Sequence, residues 1–158
     1  MTRTPRSTRH RSREAALQVL YAIDLARERP ADTSEAAPVE GCFEGAEESF
    51  ERVAAHFELP EGARAFAKEL VTGVCRLGQD LDARLTAHSQ NWRIDRMAAV
   101  DRNVLRIAVY EILHTDTPAA VAIDEAVELA RRFAGERSPG FVNGILDSVA
   151  RESGEDDR

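Results

Sequence analysis

The sequence predicts an all-α protein arranged as two helical bundles. Apolar residues recur at the i, i+3, i+4, i+7 spacing of a buried helical stripe through most of the chain. No segment sustains the period-two alternation of a half-buried strand. The periodic segments are punctuated by prolines and a glycine, at Arg29-Pro30, Leu59-Pro60, Thr117-Pro118, Gly135 and Ser138-Pro139. A chain of 158 residues buries about 70% of the surface it would expose unfolded, so it needs neither disulfide nor metal to fold.

The first helix is predicted over 12–28, with Ser12 as N-cap. Ala16, Val19, Leu20, Ile23 and Ala26 form its stripe, with Leu17 and Tyr21 on the flank. Residues 30–44 are acidic, contain two prolines and a glycine, and read as a loop. A second helix over 45–57 places Ala46, Phe50, Val53, Ala54 and Phe57 on one face. A long third helix over 61–88 carries Phe66, Leu70, Gly73, Val74, Leu77, Leu81 and Leu85, with Gly78 as a bend. SQNW (89–92) breaks the pattern and marks the boundary between the bundles, and a short turn follows around Asp95–Ala99. The predicted organisation is a basic arm (1–13), an N-terminal bundle (14–90) and a C-terminal bundle (91–158).

Residues 101–114 are apolar around most of the helix, which predicts a central, buried element. Thr117-Pro118 opens the next helix, with Thr117 as its cap candidate and Ile123, Ala126, Val127, Ala130 and Phe133 as its stripe. Ser138-Pro139 opens the last, with Val142, Ile145, Leu146 and Val149 inward.

Charge is unevenly placed. The net charge is −7, but the first thirteen residues carry five arginines and no acid, so the remainder stands at −12. Twenty of the 21 basic residues are arginine, whose planar fork suits phosphates and stacks on bases. A basic arm on an acidic helical body points to a polyanionic partner, against the alternative of a solvated tail. Cys42 and Cys75 share no metal or redox spacing and read as ordinary thiols of a reducing cytoplasm. No apolar run approaches the ~20 residues of a membrane span, and no signal-peptide core follows the basic start.

Enzymatic chemistry finds no support. The four histidines lack ligand spacing, no phosphate-binding glycine motif occurs, and Gly73 and Gly78 read as helix packing. No metal and no cofactor is expected. Three features resist a bland explanation. Arg3, Arg6, Arg9, Arg11 and Arg13 run directly into the first helix. Arg102 and Arg106 lie one turn apart, available for a ligand or for a salt bridge to Asp95 or Glu111. Phe141-Val142-Asn143-Gly144 opens the last helix: Gly144 costs about 1 kcal/mol inside a helix, which implies close approach of another helix or of a ligand. Phe141 reads equally as core or as a stacking platform, and Asn143 as a tie between helices or a reader of base edges.

RSREAALQVLYAIDL (11–25), VDRNVLRIAVYEIL (100–113), VAIDEAVELARRF (121–133) and SPGFVNGILDSVA (138–150), in that order, resemble the NusB family of transcription antitermination factors. The resemblance implies two roughly perpendicular helical bundles and a protein without enzymatic activity. It implies binding to single-stranded boxA RNA of ribosomal RNA transcripts, together with the ribosomal protein NusE. Other Nus factors and RNA polymerase would complete the assembly, which suppresses premature Rho-dependent termination. A homodimer is a further state known in the family. Carried over by position, the RNA-binding residues would be Arg6, Arg9, Arg11, Arg13, Tyr21, Asp101, Arg102, Arg106, Phe141 and Asn143. The arginines would neutralise phosphate, and Tyr21 and Phe141 would stack on bases. Gly140 departs from the family, which often carries a lysine there, and Arg131, Arg132 and Arg137 supply charge nearby. An alternative is a related accessory module of an rRNA cytosine methyltransferase.

Overall fold

A computed structural model describes residues 6–27, 45–56, 58–60, 62–89 and 97–154. Among them are seven α-helices and no strand: α1 (Arg6–Arg27), α2 (Ala46–Ala54), α3 (Ala63–Arg76), α4 (Gly78–His88), α5 (Ala99–His114), α6 (Ala119–Phe133) and α7 (Ser138–Glu152). The all-α class holds. The acidic 30–44 loop, Arg3, Cys42, Phe57 and the first two residues of the turn expected around Asp95–Ala99 fall outside the described residues.

The chain forms two compact units, Met1–Arg76 and Leu77–Arg158. In the first, α1 packs on α3 and α2, and α2 on α3. Helix α1 begins at Arg6 and not at Ser12, so the basic segment is continuous with the helix from there on. The reason is a buried stripe that starts earlier than hydropathy indicates: Thr8, Ser12, Ala15, Ala16 and Val19 are all buried. Ser12 is therefore no cap. Its hydroxyl donates to the Ala63 carbonyl (2.7 Å), with the Thr8 carbonyl as the longer, alternative acceptor (3.1 Å), tying α1 to the first residue of α3. Replacing Ser12 by alanine leaves the Ala63 carbonyl short of a buried donor and is expected to destabilise the protein by about 1–3 kcal/mol. Urea unfolding of the variant beside the parent measures this. Gly62, at φ 92°, turns the chain into α3 in a backbone region that favours glycine.

The expected long third helix is two. Leu77 (φ −104°, ψ 13°) interrupts it, and Gly78 opens α4 instead of bending a continuous helix. In the second unit α5 packs on α4, α6 and α7 and is the central element. Val104, Leu105, Ile107, Ala108, Val109 and Ile112 are buried, as its apolar circumference predicts. Full burial of each large side chain contributes about 1.5–3 kcal/mol. Helix α7 buries the predicted Val142, Ile145, Leu146 and Val149.

Helix α6 differs. Phe133 is exposed, Ile123 and Val127 are half-buried, and the inward stripe is Ala119, Ala122, Ala126, Leu129 and Ala130. Small side chains suit a helix that packs on both α5 and α7. Thr117 does not cap α6; its hydroxyl donates to the buried Glu111 carboxylate (3.2 Å).

His88 joins α4 to α7, with Nδ1 2.7 Å from Ser148 Oγ and Nε2 against the Glu152 carboxylate. The His88 hydrogen bond holds the Glu152 carboxyl below its usual range. Whatever stability this depressed group adds is present above its unfolded-state pKa and is lost as pH falls through the lowered value.

Candidate nucleic-acid interface

Within the first unit the expected contact residues lie on the first five turns of α1. Arg9 and Arg11 are exposed. The Arg9 guanidinium carbon sits 4.5 Å from the centroid of the Phe66 ring, on α3. Arg11 borders an open groove lined by Glu58, Leu59 and Pro60. Tyr21 is 38% exposed. Ten residues separate it from Arg11, about 15 Å along the helix, and their angular positions differ by about 80°, so both belong to the solvent-facing side. Arg6 is the first residue of α1, and its side chain lies outside the described residues.

Arg13 does not belong with these. It is 2% exposed, with its guanidinium carbon 5.5 Å from the same Phe66 ring, so it braces the inner face of the arm and does not reach a phosphate in this arrangement.

The first turn of α1 contains no acidic residue. A positive side chain near the positive end of a helix dipole costs about 0.3–1 kcal/mol, whereas an anion there is stabilised. The arrangement of arginines is unfavourable for the isolated helix and favourable once a phosphate arrives.

Within the second unit, Asp101 lies in the first turn of α5. It is half-buried, and its Oδ1 is enclosed without a hydrogen-bond partner among the described residues. Arg102 is 6% exposed and donates weakly to the Met97 carbonyl (3.4 Å). Arg106 is held by a bidentate ion pair to Asp82 of α4, Nε to Oδ1 at 2.7 Å and Nη2 to Oδ2 at 2.8 Å. Its Nη1 donates to Asn103 (3.2 Å). Arg102 is thus buried and Arg106 ion-paired in this arrangement. The Arg106 partner seen here, Asp82, stands 24 positions earlier, which no local spacing reveals, while Asp95 lies outside the described residues.

Phe141 is half-buried and Asn143 exposed on the first turns of α7. Arg137, one turn before Phe141, is exposed at the N-cap position. Of the neighbouring arginines, Arg131 pairs with Glu128, and Arg132 sits over the exposed Phe133 ring at 5.2 Å. The close helix expected over Gly144 is not seen: a Cβ there would meet nothing within 4 Å. Gly144→Ala is therefore expected to stabilise the free protein by about 0.5–1 kcal/mol. Thermal unfolding measures the gain. A weaker RNA complex in the same variant identifies a ligand that approaches this backbone.

Missing from the sequence reading were Phe66, assigned only to the core stripe of its helix, and Asp82. The i, i+4 spacing of Arg9 and Arg13 is the one available signal that a single ring serves both. Among the described residues no group of acids, histidines and cysteines could hold a metal ion, and no helix is long and apolar enough to cross a membrane.

The model of the NusB family matches residues 10–151. The transcription antitermination protein NusB of Anaeromyxobacter dehalogenans is 44% identical over 145 residues, 91% of each chain. That of Myxococcus xanthus is 44% identical over 143 residues, 90% of this chain and 94% of the relative. The solved NusB of T. maritima superposes with a TM-score of 0.76 at 29% identity, covering 99% of this chain and all of that one. A solved complex described as antitermination factors NusB and NusE with dsRNA contains a chain that superposes with a TM-score of 0.71 at 27% identity. It covers 94% of this chain and 99% of that one.

Proposed function

The chain belongs to the NusB family, and on that premise we propose that it is a transcription antitermination factor that binds RNA and makes or breaks no covalent bond. The RNA is an unpaired boxA element of ribosomal RNA transcripts, and the protein partner is NusE. The pair works with other Nus factors on RNA polymerase in the cytoplasm to suppress premature Rho-dependent termination.

The observation that carries this reading is the acid-free start of α1, with Arg9, Arg11 and Tyr21 all exposed. Guanidinium groups at a helix N-terminus provide phosphate contacts, and an exposed ring on the same helix provides a stacking surface. The second unit adds Phe141, Asn143 and Arg137, with open space above Gly144. Arg137 stands three residues before Gly140 and supplies positive charge near the missing lysine. The relatives that match over nine-tenths of both chains are antitermination proteins, and nothing favours the methyltransferase-module reading.

The test is a titration of the full chain, with and without NusE, against three labelled oligomers: a boxA-like single strand, its scrambled version and its duplex. Tightest binding to the boxA-like single strand, enhanced by NusE, is expected. Equal affinity for the scrambled strand with NusE present would refute sequence recognition. Preference for the duplex would refute recognition through unstacked bases.

A further inference from the structure

The most specific arrangement outside the expected contact residues is the ring of Phe66. Two arginines of α1 sit over it, with guanidinium carbons 4.5 Å (Arg9) and 5.5 Å (Arg13) from its centroid. Both distances lie within the range of cation–π attraction. Phe66 is half-buried, unlike Leu70 and Val74 of the same helix, so its ring reaches the surface while its neighbours fill the core. Arg13 is buried against the ring, whereas Arg9 is exposed and has no carboxylate partner among the described residues. A ring on one side of the Arg9 guanidinium limits the conformations of this long side chain. The N–H donors stay available, because an aromatic face uses none of them directionally.

We propose that Phe66 is a positioning residue for RNA: it holds the Arg9 guanidinium in place on the first turns of α1, so that its N–H groups meet a backbone phosphate already oriented. This rests on the RNA-binding reading above. An exposed arginine without such a platform loses its rotational freedom only on binding, and the complex is correspondingly weaker. Phe66 itself touches no RNA in this account. Arg13, beneath the exposed strip, fixes the ring from the inside.

The test compares Arg9→Ala, Phe66→Leu, Phe66→Tyr and the double variant Arg9→Ala/Phe66→Leu. Each is titrated as full chain with NusE against the boxA-like single strand over a range of salt. Arg9→Ala and Phe66→Leu are each expected to weaken binding by about 3- to 10-fold. Arg9→Ala should flatten the slope of log K against log salt by about 0.7, the value of one single-strand phosphate contact, whereas Phe66→Leu keeps the charge and should leave the slope near the parental one. Phe66→Tyr keeps the ring and should match the parent. The double variant should bind no more weakly than Arg9→Ala alone, because Phe66 acts only through Arg9. A Phe66 that does not position Arg9 would leave affinity parental in Phe66→Leu, and a merely structural one would weaken binding by the same factor in the Arg9→Ala background as in the parent. Either result overturns the proposal, as does Arg9→Ala at parental affinity. If circular dichroism shows Phe66→Leu to be unfolded, Phe66→Met, which conserves bulk, takes its place with the same expectations. Failure of the unmodified chain to bind any strand would reject the RNA reading itself, whereas failure confined to these comparisons rejects only the role of Phe66.

Discussion

Removing the rings of Tyr21 and Phe141 is expected to weaken RNA binding more than any other pair of surface changes. Stacking of an unpaired base on an aromatic side chain contributes about 1–3 kcal/mol. Tyr21→Ala and Phe141→Ala should therefore each lower affinity by about 5- to 150-fold. Tyr21 is 38% exposed on α1, so its truncation should disturb packing less than loss of a buried ring, and Tyr21→Leu controls for the apolar bulk that is removed. Phe141 is half-buried and also contributes to packing, so its variant carries some loss of stability as well. Phe141→Leu separates the two effects, since it restores most of the apolar bulk without the π-face. Neither change removes a charge, so the salt dependence of binding should stay parental while affinity falls. That combination distinguishes stacking from loss of a phosphate contact.

The largest expected effect on stability belongs to Leu105→Ala. Leu105 is fully buried in α5, the helix that packs on α4, α6 and α7. Large-to-alanine changes in such positions cost about 2–5 kcal/mol, through lost transfer free energy and the cavity left behind. The thermal midpoint should fall by roughly 4–20 °C for a chain of this size. RNA affinity measured well below the new midpoint should be unchanged, because Leu105 presents nothing to solvent. A loss below about 1 kcal/mol would mean that α5 is not the core of its unit.

The sequence was most legible where burial and hydropathy coincide. Helix α5 is apolar on nearly all sides and is central. The stripe of α7 is read residue for residue. Legibility failed where burial is achieved by other means. Alanines line the inner face of α6, while the larger Phe133 faces out. Thr8 and Ser12 extend the buried side of α1 beyond the residues that hydropathy marks, so the helix starts six residues early. The break between α3 and α4 falls at Leu77, an apolar residue in an apolar stripe, and only the structure reveals it.

The candidate site divides in a similar way. Arg9, Arg11, Tyr21 and Asn143 are exposed, as the proposed ligand-facing role requires. Arg13 and Arg102 are arginines in a basic context, and no sequence property distinguished them from their exposed neighbours. Their guanidinium groups are buried, one over Phe66 and the other beside the Met97 carbonyl. Arg106 is taken by Asp82, a partner that only the packing of α4 on α5 brings near. Charge is visible in a sequence, but the ion pair that neutralises it is a tertiary fact.

Photo-crosslinking gives the most direct check on the central claim, that unpaired RNA is held by exposed arginines and rings on this helical body. A boxA-like single strand carrying 4-thiouridine at each uridine in turn would be irradiated with the full chain and NusE, and the adducts located by mass spectrometry. Adducts should fall on the segments containing Arg9, Arg11 and Tyr21 and on the segment from Arg137 to Asn143, and should vanish with excess unlabelled strand. Competed adducts confined to α6 or the exposed face of α2, with none on those two segments, would contradict it.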